Sequence, residues 1–550
     1  MINTPVLICG GGPVGLTLAI ALSRQGVSSI VVNDRTETTS HPKLDVVNCR
    51  SMEIYRQFGL ADKIRDAGNP RTANQYVAFA ASASGPWYSI MTDRHPIYRP
   101  VAQAERIIRD STDGSLPLES MQRIAQMHLE PVLLAEARSD PKIDVRFGWS
   151  LYGFEQDEAG VTAHIEELAT GRYEQVRSDF LIGCDGPSSR VRNFLNINYD
   201  GTRDIVGELF IIHLRSNEIA NLYPDRQPYW HTWISRPGFQ GLLVSPDAGR
   251  NDFVLHRTFS PRKGESLEAL VDAALGRKLK YEIVRSGPWR PQFLVAESFG
   301  RKRVYLAGDA THQYMPTGGL GMNTGISEAH NLAWKLSALI KGWGGPGLLE
   351  SYGAERLPVA RRNREHVKRC AAAAFEVYFP VDERALSDTP AGSARRAEIG
   401  ATFQQKISRL YESLGIEIGY VYEQSPVIAP NGKHPETDGT RYSPAAVPGA
   451  RLPSAFLADR SALFDHLSPV GFTLLVCGIG ANNAVPFASA AAGLGVPLKV
   501  LPLPDPRLHS LYGVRYILVR PDQHVCWRGD SLPAEPARIL DRVRGMEAFV

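Results

Sequence analysis

Short apolar runs, each halted by glycine, recur along this chain and alternate with stretches of helical spacing. Val6-Leu7-Ile8-Cys9 stops at Gly10-Gly11-Gly12. Leu16, Ala19, Ile20 and Leu22 then continue at helical intervals as far as Gln25-Gly26, a helix stop. A second run, Ile30-Val31-Val32, ends at Asn33-Asp34. A third, Phe180-Leu181-Ile182, enters Asp185-Gly186 and a helix start carrying Ser189 and Arg192. A fourth, Val304 to Ala307, stops at Gly308-Asp309, and the glycine-rich turn Pro316 to Gly321 feeds a helix with Ile326, Ala329, Ala333, Leu336 and Ile340 on one face.

Between these motifs the period changes. Leu209 to His213, Tyr229 to Trp233, Val244, Phe253 to Leu255 and Phe259 predict a β-rich sheet. Segments 376–400 and 424–450, rich in Pro, Gly, Ser and charge, predict linkers or long loops. Beyond about 450, Phe472 to Val476 and Tyr516 to Val519 predict strands, with a helix around 482–493. No internal repeat is visible.

A chain of 550 residues exceeds one ordinary core, so two or three domains are expected. With 43% hydrophobic and 22% charged residues the chain is globular in composition. The 61 basic and 58 acidic residues nearly cancel, and no long basic run offers a nucleic-acid surface. Six scattered cysteines without a CxxC argue against a disulfide framework and a structural zinc, and suit a reducing compartment. No signal-type N-terminus or membrane-length apolar run is present, so the expectation is a cytoplasmic protein.

Gly10, Gly12 and Gly15 form a GxGxxG between a strand and a helix. One glycine permits the tight turn, one lets backbone approach a pyrophosphate, and one lets helix and sheet pack closely. The helix N-terminus presents unpaired N–H groups to the phosphates. Asp34, 19 residues after Gly15, stands where an acidic ribose ligand belongs. This motif alone does not separate NAD from FAD.

The three glycine-bearing motifs, in this order and at these separations, resemble those of the class A flavoprotein monooxygenases, the p-hydroxybenzoate hydroxylase-like aromatic hydroxylases. The chain is most similar to the longer phenol hydroxylase and polyketide-tailoring type with a C-terminal thioredoxin-like domain, signalled by Pro448-Gly449-Ala450-Arg451, Arg520-Pro521-Asp522 and Trp527-Arg528. The resemblance implies an α/β protein with a Rossmann-like FAD domain over 1–75, 101–190 and 286–375. A β-sheet substrate domain would occupy 76–100 and 191–285, a linker with helices 376–449, and the thioredoxin-like domain 450–550.

Carried across, Gly10, Gly12, Pro13, Val14, Gly15, Asp34 and Arg35 would hold the ADP half of FAD. Asp185 and Gly186 belong to a motif tied to FAD and the nicotinamide donor. Gly308 and Asp309 would meet the ribityl and pyrophosphate region. Pro316 and Gly318 to Asn323 (Gly319, Leu320, Gly321, Met322) would border the isoalloxazine, and Gln126 would touch the flavin. Three departures stand out: Pro42-Lys43-Leu44 replaces a usual Pro-Arg-Ala, Asn33 replaces a branched apolar residue, and Glu328 replaces a frequent Asp. Lys43 keeps the charge but loses the bidentate fork.

The implied reaction is NAD(P)H-driven hydroxylation of a phenolic or polycyclic, polyketide-like ring by O₂ through a flavin C4a-hydroperoxide, with the cofactor supplying the chemistry. Backbone N–H groups of Leu320, Gly321 and Met322 would stabilise charge on reduced flavin. His213, Tyr229 and His231 are the candidates for meeting a phenolic hydroxyl, although alternation alone does not orient them. His312 is read as a buttress of the flavin loop, Cys49 and Cys184 as small buried hydrophobes, and Arg361 to Arg364 as a helix face or interdomain contact. The C-terminal domain, lacking CxxC, is read as a scaffold or association surface, with a homodimer allowed. Two other readings keep the flavin: an oxidase or dehydrogenase without oxygen insertion, and a non-catalytic flavin-binding partner.

Overall fold

The computed structural model describes residues 1–43, 45–92, 94–203, 207–249, 251–262, 264–378, 381–429, 431–435, 439–478 and 484–546. Leu44 and residues 482 and 483 of the anticipated C-terminal helix lie outside them.

The N-terminal run forms the strand Ile2–Cys9 at the centre of an eight-stranded sheet. Its parallel neighbours are Ser29–Asn33 on one side and Arg172–Gly183 on the other, with Val304–Leu306 and Ile143–Phe147 next outward. These buried parallel strands read as continuous Val/Ile/Leu runs because both faces are covered. Helices Pro13–Arg24, Gln126–Ser139 and Leu320–Ile340 cover one face and build the core with Val6, Ile8, Val31 and Ile182. All three main motifs therefore end at the carboxyl edge of one parallel sheet, where ligands of open α/β sheets bind.

The middle of the chain forms a seven-stranded sheet ordered Glu282–Trp289, Leu209–Arg215, Asp252–Arg257, Phe239–Val244, His231–Arg236, Val77–Ala80 and Trp87–Met91. One face packs on helix Leu267–Leu275 with Ile212, Leu255 and Tyr229. The other faces Pro390–Tyr411, where Phe79 and Phe403 stack with centroids 4.5 Å apart.

That helix corrects the reading of 376–400 as linker. Thr389 caps its N-terminus by accepting from Gly392 N, Pro390 opens the first turn, and Ile399, Phe403, Ile407 and Leu410 make a buried stripe. The polar composition of 390–400 belongs to the first turns and outer face of an amphipathic helix. Residues 424–450, where described, carry no helix or strand beyond an isolated bridge at Ala450.

The C-terminal four-stranded sheet, ordered Leu498–Leu503, Phe472–Cys477, Tyr516–Val519 and Val525–Gly529, is thioredoxin-like in its mixed pairing. Its Cys477 and Cys526 are buried free thiols. It docks on the first domain through buried charge. Glu53 pairs with Arg50 and Arg451, and Glu355 binds both Lys335 (2.7 Å) and Arg520 (2.6 Å). Among the described residues, no helix is long and apolar enough to cross a membrane.

Candidate functional site

The GxGxxG turn has two kinds of glycine. A Cβ on Gly10, whose φ is +113°, would lie 2.2 Å from Cys184 O, and one on Gly15 would lie 1.9 Å from Gly10 O. Gly12 and Gly321 instead face open space, with nothing within 4 Å of such a Cβ. The first pair is required by packing; the second keeps room for a ligand against two helix N-termini. Neither helix has a side-chain cap, so its first N–H groups are left for an anion.

These turns border one cleft of about 720 Å³, within the range of cofactor sites. Gly10, Gly12, Pro13, Val14, Asp34, Arg35, Lys43, Gln126, Asp185, Gly186, Gly308, Asp309, Pro316, Gly319, Leu320, Gly321 and Met322 all line it. Gly15 lies behind it. Asn323 is also buried behind it, donating to Gly319 O (2.6 Å) and Val46 O (3.2 Å) while accepting from Asn48 N (3.0 Å). Asn323 thus fixes the loop around the cleft. Unpaired helix starts, glycines without Cβ clash toward the cleft, and a volume of about 720 Å³ fit a dinucleotide such as FAD.

The sequence departures acquire local reasons. Asn33 accepts from Gly11 N (3.0 Å), pinning the glycine turn. Glu328 accepts from Gly308 N (2.8 Å) and stands 3.2 Å from His312 Nε2, while His312 stacks on Tyr314 with centroids 4.6 Å apart. His312 is fully buried in this contact. Asp185 accepts from Ser189 Oγ (2.5 Å) and Val191 N (3.1 Å), although burial raises its pKa overall. Asp309 is exposed in the open cleft, yet the surrounding protein raises its carboxyl against the pull of His312 and Lys43. Burial likewise raises Cys9, Cys49 and Cys184, which stay thiols.

A second, largely apolar cavity lies between the seven-stranded sheet and the helices Gly347–Tyr378 and Pro390–Tyr411. Lys43, Asp45, Met315, Pro316 and Gly319 line both spaces, so cofactor cleft and cavity meet along a common seam. Of the three substrate-pocket candidates, His231 lines the cavity. His213 does not; it is buried against Asp252 at 2.7 Å. Tyr229 sits on the opposite face, among Tyr76, Trp87 and Tyr223.

Asp45, Trp230 and Tyr411 were not singled out by sequence. Trp230 Nε1 donates to Asp45 Oδ2 (2.5 Å), and His231 Nε2 stands 3.5 Å from the same oxygen. Trp233 Nε1 donates to the Tyr411 hydroxyl (2.8 Å), so that hydroxyl is free to donate to His231 Nδ1 (2.5 Å). This assigns the remaining proton to Nε2, facing Asp45. Burial opposes charge on Asp45, but hydrogen bonds from His231 and Trp230 and the field of Arg123 hold its carboxyl below the ordinary value. Burial lowers His231 despite Asp45, leaving a neutral ring beside a carboxylate. Asp45 had no sequence signal, and Tyr411 lay near a segment read as linker.

Fold and site together define an FAD-dependent aromatic-ring monooxygenase, and the chain belongs to that family. Residues 3–367 match the FAD binding domain family, and 445–546 match the aromatic-ring hydroxylase C-terminal family. The chain is 32% identical to the FAD-dependent monooxygenase apdD of Emericella nidulans, over 99% of this chain and 90% of that protein. It is also 32% identical to a putative polyketide hydroxylase of Streptomyces halstedii, over 97% and 95%. The rebeccamycin biosynthetic enzyme RebC, solved with reduced flavin, superposes with a TM-score of 0.88 at 32% identity, covering 99% of both chains. RebC has also been solved with bound 7-carboxy-K252c. The enzyme uses FAD, with NAD(P)H and O₂ as the family does.

Proposed function

We propose that this chain hydroxylates a flat phenolic or fused polycyclic aromatic compound bound in the apolar cavity, with FAD in the adjoining cleft. The observation that carries this is the common seam: a ring in the cavity reaches the cofactor only past Lys43, Asp45, Met315, Pro316 and Gly319. Bound FAD supplies the activation of O₂, drawing its electrons from NAD(P)H. The discontinuous first domain would hold FAD, the segments 76–100 and 191–285 would supply the substrate wall, and 450–550 would brace them.

The chain's own groups have assignable work. Gly12 and the N-terminus of Pro13–Arg24 would hold the diphosphate of FAD, Asp34 its ribose, and Asp309 its ribityl side. The N–H groups of Leu320, Gly321 and Met322, at an uncapped helix start on the cleft, would stabilise negative charge on bound flavin. Trp230, Trp233, Leu242 and Tyr378 keep water from the reacting ring. Asp45 lines both spaces as a carboxylate and draws the phenolic proton, raising electron density on the ring. His231, Tyr411 and Trp230 hold that carboxylate in place.

The test is NAD(P)H oxidation by the FAD-loaded enzyme over a panel of phenols and hydroxylated polycyclic aromatics. Substrate-stimulated consumption matched by one hydroxylated product per NAD(P)H is the expected result. Consumption yielding only hydrogen peroxide would favour a flavin oxidase, and bound FAD with no stimulated consumption would favour a non-catalytic flavin-binding protein.

A further inference from the structure

One wall of the apolar cavity is the seven-stranded sheet, and strand alternation decides which side chains enter. On strand Asp252–Arg257, Val254 and His256 face the cavity. Arg257, at the strand end, also borders the cavity, with its guanidinium 4.3 Å from the Phe239 centroid and its Nε and Nη1 without an acceptor among the described residues. In register His256 lies between Ile211 and Leu242, two apolar neighbours that also line the cavity. An imidazole therefore sits between two apolar side chains of that wall.

Three of the other polar cavity groups are already engaged. Asp45 has Trp230 and His231, Tyr411 has Trp233 and His231, and Glu417 accepts from Tyr98 (3.1 Å), Ser413 (3.0 Å) and Cys49 N (3.0 Å). The His256 imidazole makes no hydrogen bond or ion pair with the described residues. Trp289 stands edge-on to it, centroids 6.4 Å apart at 82°, and the buried Trp289 Nε1 also has no acceptor among them. A polar group left unsatisfied at an apolar wall costs free energy that a ligand oxygen would recover.

We propose that His256 determines substrate specificity by hydrogen-bonding an oxygen substituent on a ring remote from the one hydroxylated. The preferred substrates are then polyoxygenated fused aromatics rather than simple monohydroxy rings. Asp45, which meets the phenolic hydroxyl, stands 3.5 Å from His231, and His231 lies one intervening strand and two residues of register away from His256, so the backbones at the two contacts are roughly 10 Å or more apart. One phenol ring cannot bridge that span, whereas fused rings carrying oxygens at both ends can. Burial, reinforced by His231, lowers His256 to about 4, so near neutral pH the ring is uncharged and can donate at one nitrogen and accept at the other. The inference rests on the hydroxylase reading above.

The experiment compares FAD-loaded wild type, His256→Phe and His256→Gln, with 2-naphthol and 2,6-dihydroxyanthraquinone as probes. KM, kcat and hydroxylated product per NAD(P)H are measured for each pair. The expected result is that His256→Phe raises KM for the dihydroxyanthraquinone about tenfold and changes 2-naphthol little, while His256→Gln, which keeps a hydrogen-bonding group, restores most of the loss. Equal effects on both probes, no effect on either, or a Gln variant as poor as Phe would overturn the proposal while leaving the hydroxylase reading intact. A wild type whose NAD(P)H consumption is stimulated by neither probe would overturn both, and would do so before any variant is made.

Discussion

Asp45 and Trp230 meet through a 2.5 Å hydrogen bond at the seam between cofactor cleft and aromatic cavity. The indole that walls the cavity thereby also fixes the carboxylate beside the cofactor. Trp230 is itself flanked by buried arginines, with Arg123 at 5.4 Å and Arg94 at 5.7 Å from its ring.

Asp45→Asn keeps the shape and the contact with Trp230 but removes the charge. Turnover of phenolic substrates is expected to fall by roughly 10²–10⁴, the usual contribution of a positioned base, with FAD content unchanged. Because the surroundings hold the Asp45 carboxyl below its ordinary value, wild-type kcat should show no ionisation of this group between about pH 5 and 8. Single-turnover product formation across pH checks both. An unimpaired Asn variant would remove Asp45 from the proton path.

The two kinds of glycine separate folding from cofactor binding. Gly10→Ala drives a Cβ into Cys184 O at 2.2 Å on a backbone with φ +113°. It is expected to destabilise the apoprotein by about 1–3 kcal/mol, read as a lower denaturation midpoint. Gly12→Ala meets no protein atom within 4 Å, so it should melt like wild type yet bind FAD at least tenfold more weakly by titration. The same midpoint for both variants would contradict the packing argument.

How much of this was legible in the residues depends on range. The glycine turns could be read because each is local: a strand, a forced backbone approach and a helix start lie within a few positions. The cavity could not, since its walls come from Asp45, Trp230, His256 and Tyr411, which are brought together only by tertiary packing. Alternation grouped side chains by face but did not say which face was hollow, so His213 and His231 looked equivalent. The helix ending at Tyr411 was hidden because the polar start of 390–400 resembles a loop until its stripe of Ile399, Phe403 and Ile407 is counted.

The buried charges under the C-terminal sheet tie that domain to the helix that begins at the cofactor cleft. Arg520 binds Glu355, which also holds Lys335 on Leu320–Ile340, and Asn331 of the same helix donates to Asp522 (3.0 Å). Arg520→Met would leave Glu355 and Asp522 short of their main cation, at a cost of about 3–5 kcal/mol. Thermal unfolding of the apoprotein should register it. If this anchor also orders the helix start, the variant should bind FAD more weakly; unaltered affinity would confine the network to domain docking.

His330, on the same helix, is buried edge-on to Phe58 with centroids 5.7 Å apart. Burial, helped by Arg50, lowers it to about 3. In the unfolded chain it titrates near 6.5, so between those values the unfolded state binds the extra proton and stability falls as pH falls. The contribution is fully present above about pH 6.5 and erodes by about 1.4 kcal/mol per pH unit below it. His330→Leu removes this group's proton uptake and should flatten the dependence of unfolding free energy on pH between about 6 and 4 by close to one proton. Urea denaturation at a series of pH values measures that slope. An unchanged slope would mean that His330 is already protonated in the folded protein, and that its burial against Phe58 is less complete than the packing indicates.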